Sequence, residues 1–330
     1  MTPVKRDNKV LDLAIQWKKY GGYAGLFSGK IMHTLMFEKS NIVSNGYEAA
    51  MLRMGGNVAR VDDMTRRMKD ATMIDTIKWY GASTDILLVN CDNVQTNYMG
   101  VRTPVVYGGA SECYTQAITD FMTIEEMLGE KDQLSVCFIG DILGSYNQLC
   151  YLRQVLNDFP NVHIVTCAYP ECESEDFSNI SIEAFRDQIS DFDVVYCVPL
   201  RNNSKCHFQT YFGTGDKIYT RFRTDPSLES LLEPYTITLE DACNMHSASI
   251  IMHPELRTRE LDPDIDVTER GAYYTQSKNR TYVQLAHLYL IFNNMRLPQS
   301  LSNPRIPCSS MGKKTMSDRE LLRDEIHGYD

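Results

Sequence analysis

The sequence predicts an α/β protein: two doubly wound parallel-sheet domains with a ligand cleft between them. Three observations carry this expectation. Short runs rich in Val and Ile recur along the chain without polar alternation, the pattern of parallel strands covered on both faces. Segments of helical period separate these runs, which implies βαβ units. The length, 330 residues, suits two ordinary domains better than one.

Taken in order, the first predicted strand is IMHTLMF, 31–37. A helix over 44–56 follows and stops at Gly55-Gly56, a glycine stop typical of a helix C-terminus. DILLVN (85–90) and TPVVYGG (103–109) read as the next strands. The helix over 115–129 places Ala117, Ile118, Phe121, Ile124 and Leu128 on one face. Strand 134–141, helix 145–158, and strands 162–167, 193–198 and 248–254 continue the alternation. Periodicity marks a last helix over 280–295. From about residue 299 the chain becomes polar, and 317–326 has the pattern of a short amphipathic helix. We read 299–330 as an appended tail.

Composition excludes several function classes. Hydrophobic residues make up 43% and charged residues 23%, the balance of a globular protein. The formal net charge is −10, which argues against a nucleic-acid partner, because phosphate backbones need clustered Lys and Arg. The ten Cys include no Cys-x-x-Cys and many sit in apolar runs, as Cys137, Cys167 and Cys197 do. They read as small hydrophobes in a reducing compartment, and neither zinc nor another cofactor is expected. No apolar stretch approaches the roughly 18 residues that span a bilayer, and the first residues lack the apolar run of a signal peptide. A cytoplasmic protein without membrane contact is expected.

Open parallel sheets bind ligands beyond the carboxyl ends of their strands. Three such loops stand out: 38–46, 108–116 and 253–257. Loops that lead into helices present free backbone N–H groups, which suits a small anion.

The same loops carry a resemblance. GLFSGKIMHTLMFEKS (25–40), YEAAMLRMGGNV (47–58), ASECYTQAITDFMTIEEMLG (110–129), MHPELRTREL (252–261) and DIDVTERGAYYTQSKNRTYVQLAHLYLIF (264–292) resemble, in order, segments of the aspartate/ornithine carbamoyltransferase family. Aspartate carbamoyltransferase catalytic chains are the most similar members. The resemblance implies the carbamoyltransferase fold. An N-terminal carbamoyl-phosphate-type domain (1–130) would be completed by a closing helix (273–298), and an amino-acid-binding-type domain would occupy 131–272. It also implies a trimer in which each site borrows a loop from the neighbouring subunit.

The departures from the family pattern are concentrated in the site. The family's phosphate loop reads Ser-Thr-Arg-Thr-Arg; here it reads Ser40-Asn41-Ile42-Val43-Ser44. An isoleucine does not replace a fork of donors aimed at a dianion. The family's next arginine falls at Asn90, its His-Pro at Cys113-Tyr114, and its aspartate-binding arginines near Tyr146 and at Pro199; Leu256 replaces a second proline. Losing one preorganised donor costs on the order of 10²–10³ in rate, and here several are lost together.

Remnants persist. Thr65 and Lys69 match the mobile loop sent to a neighbour, although a solvated basic face explains them equally well. Gln116 matches the family's carbamoyl contact, or else satisfies backbone groups at a helix start. Ser40 and Ser44 read as caps for the helix near Ser44. His253 and Pro254 shape the last loop ahead of Arg257, His253 as a structural histidine. Arg201 falls where the family has a substrate-binding Gln, and it either supplies a new charge or faces solvent. Cys113, near a helix start, is a remote nucleophile candidate. Glu112 and Asp120 read as ordinary surface carboxylates.

Three readings of function follow, the last of them weak residual carbamoyl transfer through an unusual site. The first is a catalytically inactive carbamoyltransferase homologue with a structural or regulatory role, as a homotrimer or in a mixed trimer with an active paralogue. The second is a repurposed enzyme taking a different small anionic or amino-acid ligand in the same cleft.

Overall fold

The computed structural model describes residues 8–37, 42–62, 72–91, 101–108, 113–157, 159–170, 172–200, 208–210, 220–222, 232–254, 257 and 259–293. Two all-parallel sheets organise them. The first contains β1 (Ile31–Met36), β2 (Asn57–Val61), β3 (Ile86–Asn90) and β4 (Val105–Tyr107), in the order β2-β1-β3-β4. The second contains β5 (Leu134–Gly140), β6 (Val162–Ala168), β7 (Ser178–Asn179), β8 (Val194–Cys197) and β11 (Ile250–Met252), in the order β11-β8-β5-β6-β7. A separate antiparallel pair joins β9 (Phe208–Thr210) to β10 (Thr220–Phe222).

The strand order reverses between β1 and β3 in the first sheet and between β5 and β8 in the second. Such reversals open a crevice at the carboxyl ends of the strands. At the second crevice the chain passes very close to itself. Gly140 has φ 125°, and a Cβ there would lie 2.4 Å from the Val198 carbonyl oxygen. Only glycine satisfies both conditions.

The helices are α1 (Lys9–Tyr20), α2 (Ile42–Arg53), α3 (Met73–Gly81), α4 (Tyr114–Leu128), α5 (Tyr146–Leu156), α6 (Ile182–Asp187), α7 (Leu239–Asn244) and α8 (Tyr273–Phe292). The first of these, α1, was not read from the sequence. Val10, Leu11, Ala14 and Trp17 bury one face, and the Asn8 side chain caps the start by accepting from the Leu11 N–H at 3.2 Å. Strand β2 was also missed, since it is an edge strand with mixed exposure and carries little apolar signal.

Three boundaries and faces depart from expectation. Helix α2 begins at Ile42, so Ser44 lies inside its first turn and is fully buried; it is not the cap. The closing helix begins at Tyr273, seven residues before the point marked by periodicity, because its early buried residues are polar and escape an apolar count. Helix α4 buries every side chain from Tyr114 to Ile124, not one stripe. It is wedged between α5 and α8 and touches α1 as well.

Apolar clusters fill the space beside each sheet. Beside the second, Cys137, Cys167 and Cys197 pack with Phe185, Val195 and Ile251. Burial pushes these thiols up, Cys167 to about 12, so they serve as small hydrophobes rather than nucleophiles. The tail expected at 299–330 lies outside the described residues.

Candidate functional site

At the carboxyl ends of the first sheet the described residues include Phe37, Ile42 and Asn90, which are uncharged. The Phe37 N–H donates to the Asn90 carbonyl at 3.0 Å, continuing the ladder past β3. Asn90 is itself buried, and Ile42 stands half-buried at the head of α2. Lys30, from the conspicuous Gly-Lys pair, serves the opposite end of β1. Its Nζ meets Asp85 at 2.9 Å, while the other Asp85 oxygen accepts from the Ile31 N–H. That backbone bond first, and Lys30 second, hold the Asp85 carboxyl below the usual range.

At the start of α4, Cys113 and Tyr114 are both buried. The Cys113 carbonyl accepts from the Ala117 N–H at 3.0 Å. The Tyr114 ring packs on His287 and its hydroxyl reaches Asn8 at 3.4 Å. His287 also meets the Tyr47 hydroxyl at 2.5 Å. Burial lowers the His287 pKa to about 4, so the imidazole is neutral at pH 7.

In the second sheet, Pro199 is buried just past β8. Tyr146 opens α5 and donates its hydroxyl to Asp176, a bond that raises the phenol pKa. Arg257 makes a bidentate pair with Asp266, 2.5 Å on each arm, and contacts the Tyr273 hydroxyl. The Tyr273 and Tyr274 hydroxyls also donate to Asp266. The Arg257 guanidinium first, and these hydroxyls after it, hold the Asp266 carboxyl well below its usual range.

Helices α4 and α8 meet β8 of the second sheet through a buried polar network that centres on Asp120. This residue is fully buried, which overturns the expectation of a surface carboxylate. One oxygen accepts from Gln116 Nε2 at 2.5 Å and Gln276 Nε2 at 2.6 Å; the other accepts from the Tyr196 hydroxyl at 2.6 Å. Gln148 Nε2 donates in turn to the Tyr196 oxygen at 2.7 Å. Burial raises the Asp120 pKa to about 6, against the opposing pull of its three donors and the Arg280 charge.

The network extends to the last loop. Gln276 Oε1 accepts from the His253 N–H at 3.1 Å, and His253 Nε2 pairs with Glu260 at 2.9 Å in a site closed to water. Arg280 donates through Nη2 to Gln116 Oε1 and to the Pro254 carbonyl, each at 2.5 Å. Gln116 is therefore held at both ends of its amide.

Of the residues singled out in the sequence, Gln116, His253 and Pro254 come together here. Ile42, Ser44 and Asn90 lie by the first sheet, and Cys113 immediately precedes α4. Tyr146 and Pro199 lie by the second sheet. Ser40, Thr65, Lys69, Glu112, Arg201 and Leu256 lie outside the described residues. Sequence reasoning missed Tyr196, Gln276 and Arg280. One local signal was available: Gln116 and Asp120, like Gln276 and Arg280, are four residues apart on helices, the spacing of side chains that share a face.

Among the described residues, no group of three or more His, Cys, Asp or Glu side chains is placed to hold a metal ion. No described helix is long and apolar enough to cross a membrane. A cavity of about 170 Å³ lined by Lys78, Gly81, Ala82, Val101, Arg102 and Thr103 lies at the amino end of β4, away from these loops.

Residues 4–126 match the family described as aspartate/ornithine carbamoyltransferase, carbamoyl-P binding domain. The aspartate carbamoyltransferase catalytic subunit of Alkaliphilus oremlandii (strain OhILAs) is 29% identical over 291 residues, covering 83% of each chain. Its counterpart in Thermoplasma volcanium is 27% identical over 288 residues, covering 83% of this chain and 88% of the relative. The catalytic subunit of M. jannaschii aspartate transcarbamoylase superposes with a TM-score of 0.70 at 23% identity, over 86% of this chain and 94% of that one. The Trypanosoma cruzi aspartate transcarbamoylase, solved with carbamoyl aspartate and phosphate, superposes with a TM-score of 0.68 at 23% identity, over 85% and 90%. These solved chains share the fold described here.

Proposed function

This chain belongs to the aspartate/ornithine carbamoyltransferase family, and from that premise we propose that it is a member without ordinary aspartate carbamoyltransferase activity, retained for a structural or regulatory role in a trimeric assembly. The observation that carries the reading is the state of Gln116. Its amide nitrogen donates to Asp120 and its oxygen accepts from Arg280, so both ends of the side chain expected to touch a carbamoyl group are already engaged by the protein. Arg280 is the cation that reaches Gln116, and it is engaged there with the protein's own oxygens. Ile42, Asn90, Cys113, Tyr146 and Pro199 are uncharged, and Arg257 is spent on Asp266. Carbamoyl transfer from carbamoyl phosphate, with phosphate as the leaving group, depends on preorganised donors. The relatives are named as catalytic subunits, so the proposed loss belongs to this chain's own substitutions.

The test is calorimetric titration of the pure protein with carbamoyl phosphate, repeated with a bisubstrate phosphonate analogue of the aspartate reaction. No heat at millimolar ligand is expected. Micromolar binding of either ligand would overturn the reading. The assembly part is checked by purification from the native source, where recovery with a carbamoyltransferase paralogue in a mixed trimer is the expected outcome.

A further inference from the structure

Helix α4 follows β4 of the first sheet, and the His253-Pro254 loop follows β11 of the second. Both therefore stand at carboxyl ends of parallel strands, where ligands of such sheets bind. Arg280 of the closing helix reaches between them. One nitrogen of its planar guanidinium, Nη2, donates both to the Gln116 side-chain oxygen and to the Pro254 backbone oxygen, each at 2.5 Å. A ligand with N–H donors would need those same acceptors. The site around the fork is built to hold it. Gln116 is oriented by Asp120, Asp120 by Tyr196 and Gln276, and Gln276 by the His253 N–H. All four of these side chains are buried.

We propose that Arg280 is a built-in occupant of the cleft between the sheets, a guanidinium that fills an acceptor pair otherwise open to a small planar N–H donor such as an amide or amidinium, and that latches the α4 start to the last loop. The inference deepens the reading of a catalytically inactive member and rests on it for its functional meaning. The latch itself stands on the hydrogen bonds above. The two Nη2 hydrogens lie fixed in the guanidinium plane, an arrangement that a freely rotating lysine ammonium does not hold.

The experiment is chemical rescue of stability. Arg280→Ala removes the fork and leaves room shaped for it. A lower Tm than wild type is expected, with most of the loss recovered, saturably, by methylguanidinium at millimolar concentration. Arg280→Lys is expected to fall between the two and to respond weakly. Faster amide exchange is expected in the variants both at the start of α4 and around His253, because one side chain ties them together. An unchanged Tm and unchanged exchange in Arg280→Ala would overturn the proposal, as would an equal effect of methylguanidinium on wild type and variant. If neither variant folds, NMR of the wild-type guanidinium decides. Protected protons and slowed rotation are expected, and an averaged, solvent-like signal would overturn the latch. Binding of carbamoyl phosphate to wild type would remove the inactive-member reading while leaving the outcome of the rescue experiment independent.

Discussion

The core beside the second sheet and the inner face of α8 both exclude water, but by opposite means. The core uses interchangeable apolar volume: Phe185, Ile251, Leu261 and three cysteines that behave as small hydrophobes. The inner face of α8 buries Gln276, Asn279, Gln284 and His287. Each finds a partner on another element. Gln276 serves Asp120 and the His253 N–H; Asn279 donates to Thr123 at 3.1 Å and accepts from Lys18 at 2.7 Å. Gln284 donates to the Val43 carbonyl at 3.1 Å, and His287 meets Tyr47 at 2.5 Å. Apolar packing tolerates substitution because it is non-directional. A buried polar face does not, because each unpaired group costs its full desolvation. The difference teaches that α8 specifies where other elements sit, whereas the sheet core supplies bulk stability.

The sharpest break of that comparison is Gln276→Leu, a swap of similar volume. It leaves the His253 N–H without its acceptor and takes one donor from Asp120. A loss of about 2–4 kcal/mol is expected, at about 1–3 kcal/mol for each buried group left unsatisfied, measured by urea unfolding. A loss as small as that of a core swap would erase the distinction.

The pH profile sharpens it next. Asp120 has its folded pKa raised from the ordinary 3.8 to about 6. Its favourable contribution is complete below the unfolded value and is lost as pH rises through about 6. His287 has its folded pKa lowered to about 4 from 6.5. The folded state then binds fewer protons than the unfolded chain, so its contribution is lost as pH falls from about 6.5 toward 4. The two slopes oppose one another, each spanning on the order of 3 kcal/mol. Relative to wild type, Asp120→Asn is expected to gain stability as pH rises from 4 to 6. His287→Gln is expected to gain as pH falls over the same window. Parallel profiles in chemical denaturation would refute both assignments.

A smaller effect is expected where α8 meets α2. A Cβ on Gly46 would lie 2.0 Å from Gln284 Oε1, and Gln284 is buried. Gly46→Ala is expected to cost about 1–3 kcal/mol by overpacking, despite alanine's better helix propensity. The paired variant Gly46→Ala with Gln284→Ala should recover part of the loss. Least of all, Ile251→Val in the sheet core is expected to cost about 0.5–1.5 kcal/mol, with pH dependence unchanged.

Much of this contrast was hidden from the sequence for one reason. Val and Ile runs such as 134–141 and 193–198 announce strands because the signal lies within the segment itself. Asp120 sits in a helix that was read as one apolar stripe, so its carboxylate was assigned to the surface. Its donor Tyr196 is 76 positions away, and Gln276 is 156 away. Nothing local marks such pairs. Helix α1 was legible in principle from its i, i+4, i+7 apolar spacing and capping Asn8.

By itself the sequence determined the alternation of strands and helices, the resemblance to the carbamoyltransferase family, and the uncharged residues at Ile42, Asn90, Cys113 and Pro199. These follow from residue type at a position, which needs no partner. Only the tertiary structure decided that Gln116 is engaged at both ends of its amide, that Asp120 is interior, and that Arg280 spans 164 positions to reach Gln116. A hydrogen bond is directional and short-ranged, so its partner is chosen by the packing of whole helices and sheets rather than by neighbours along the chain.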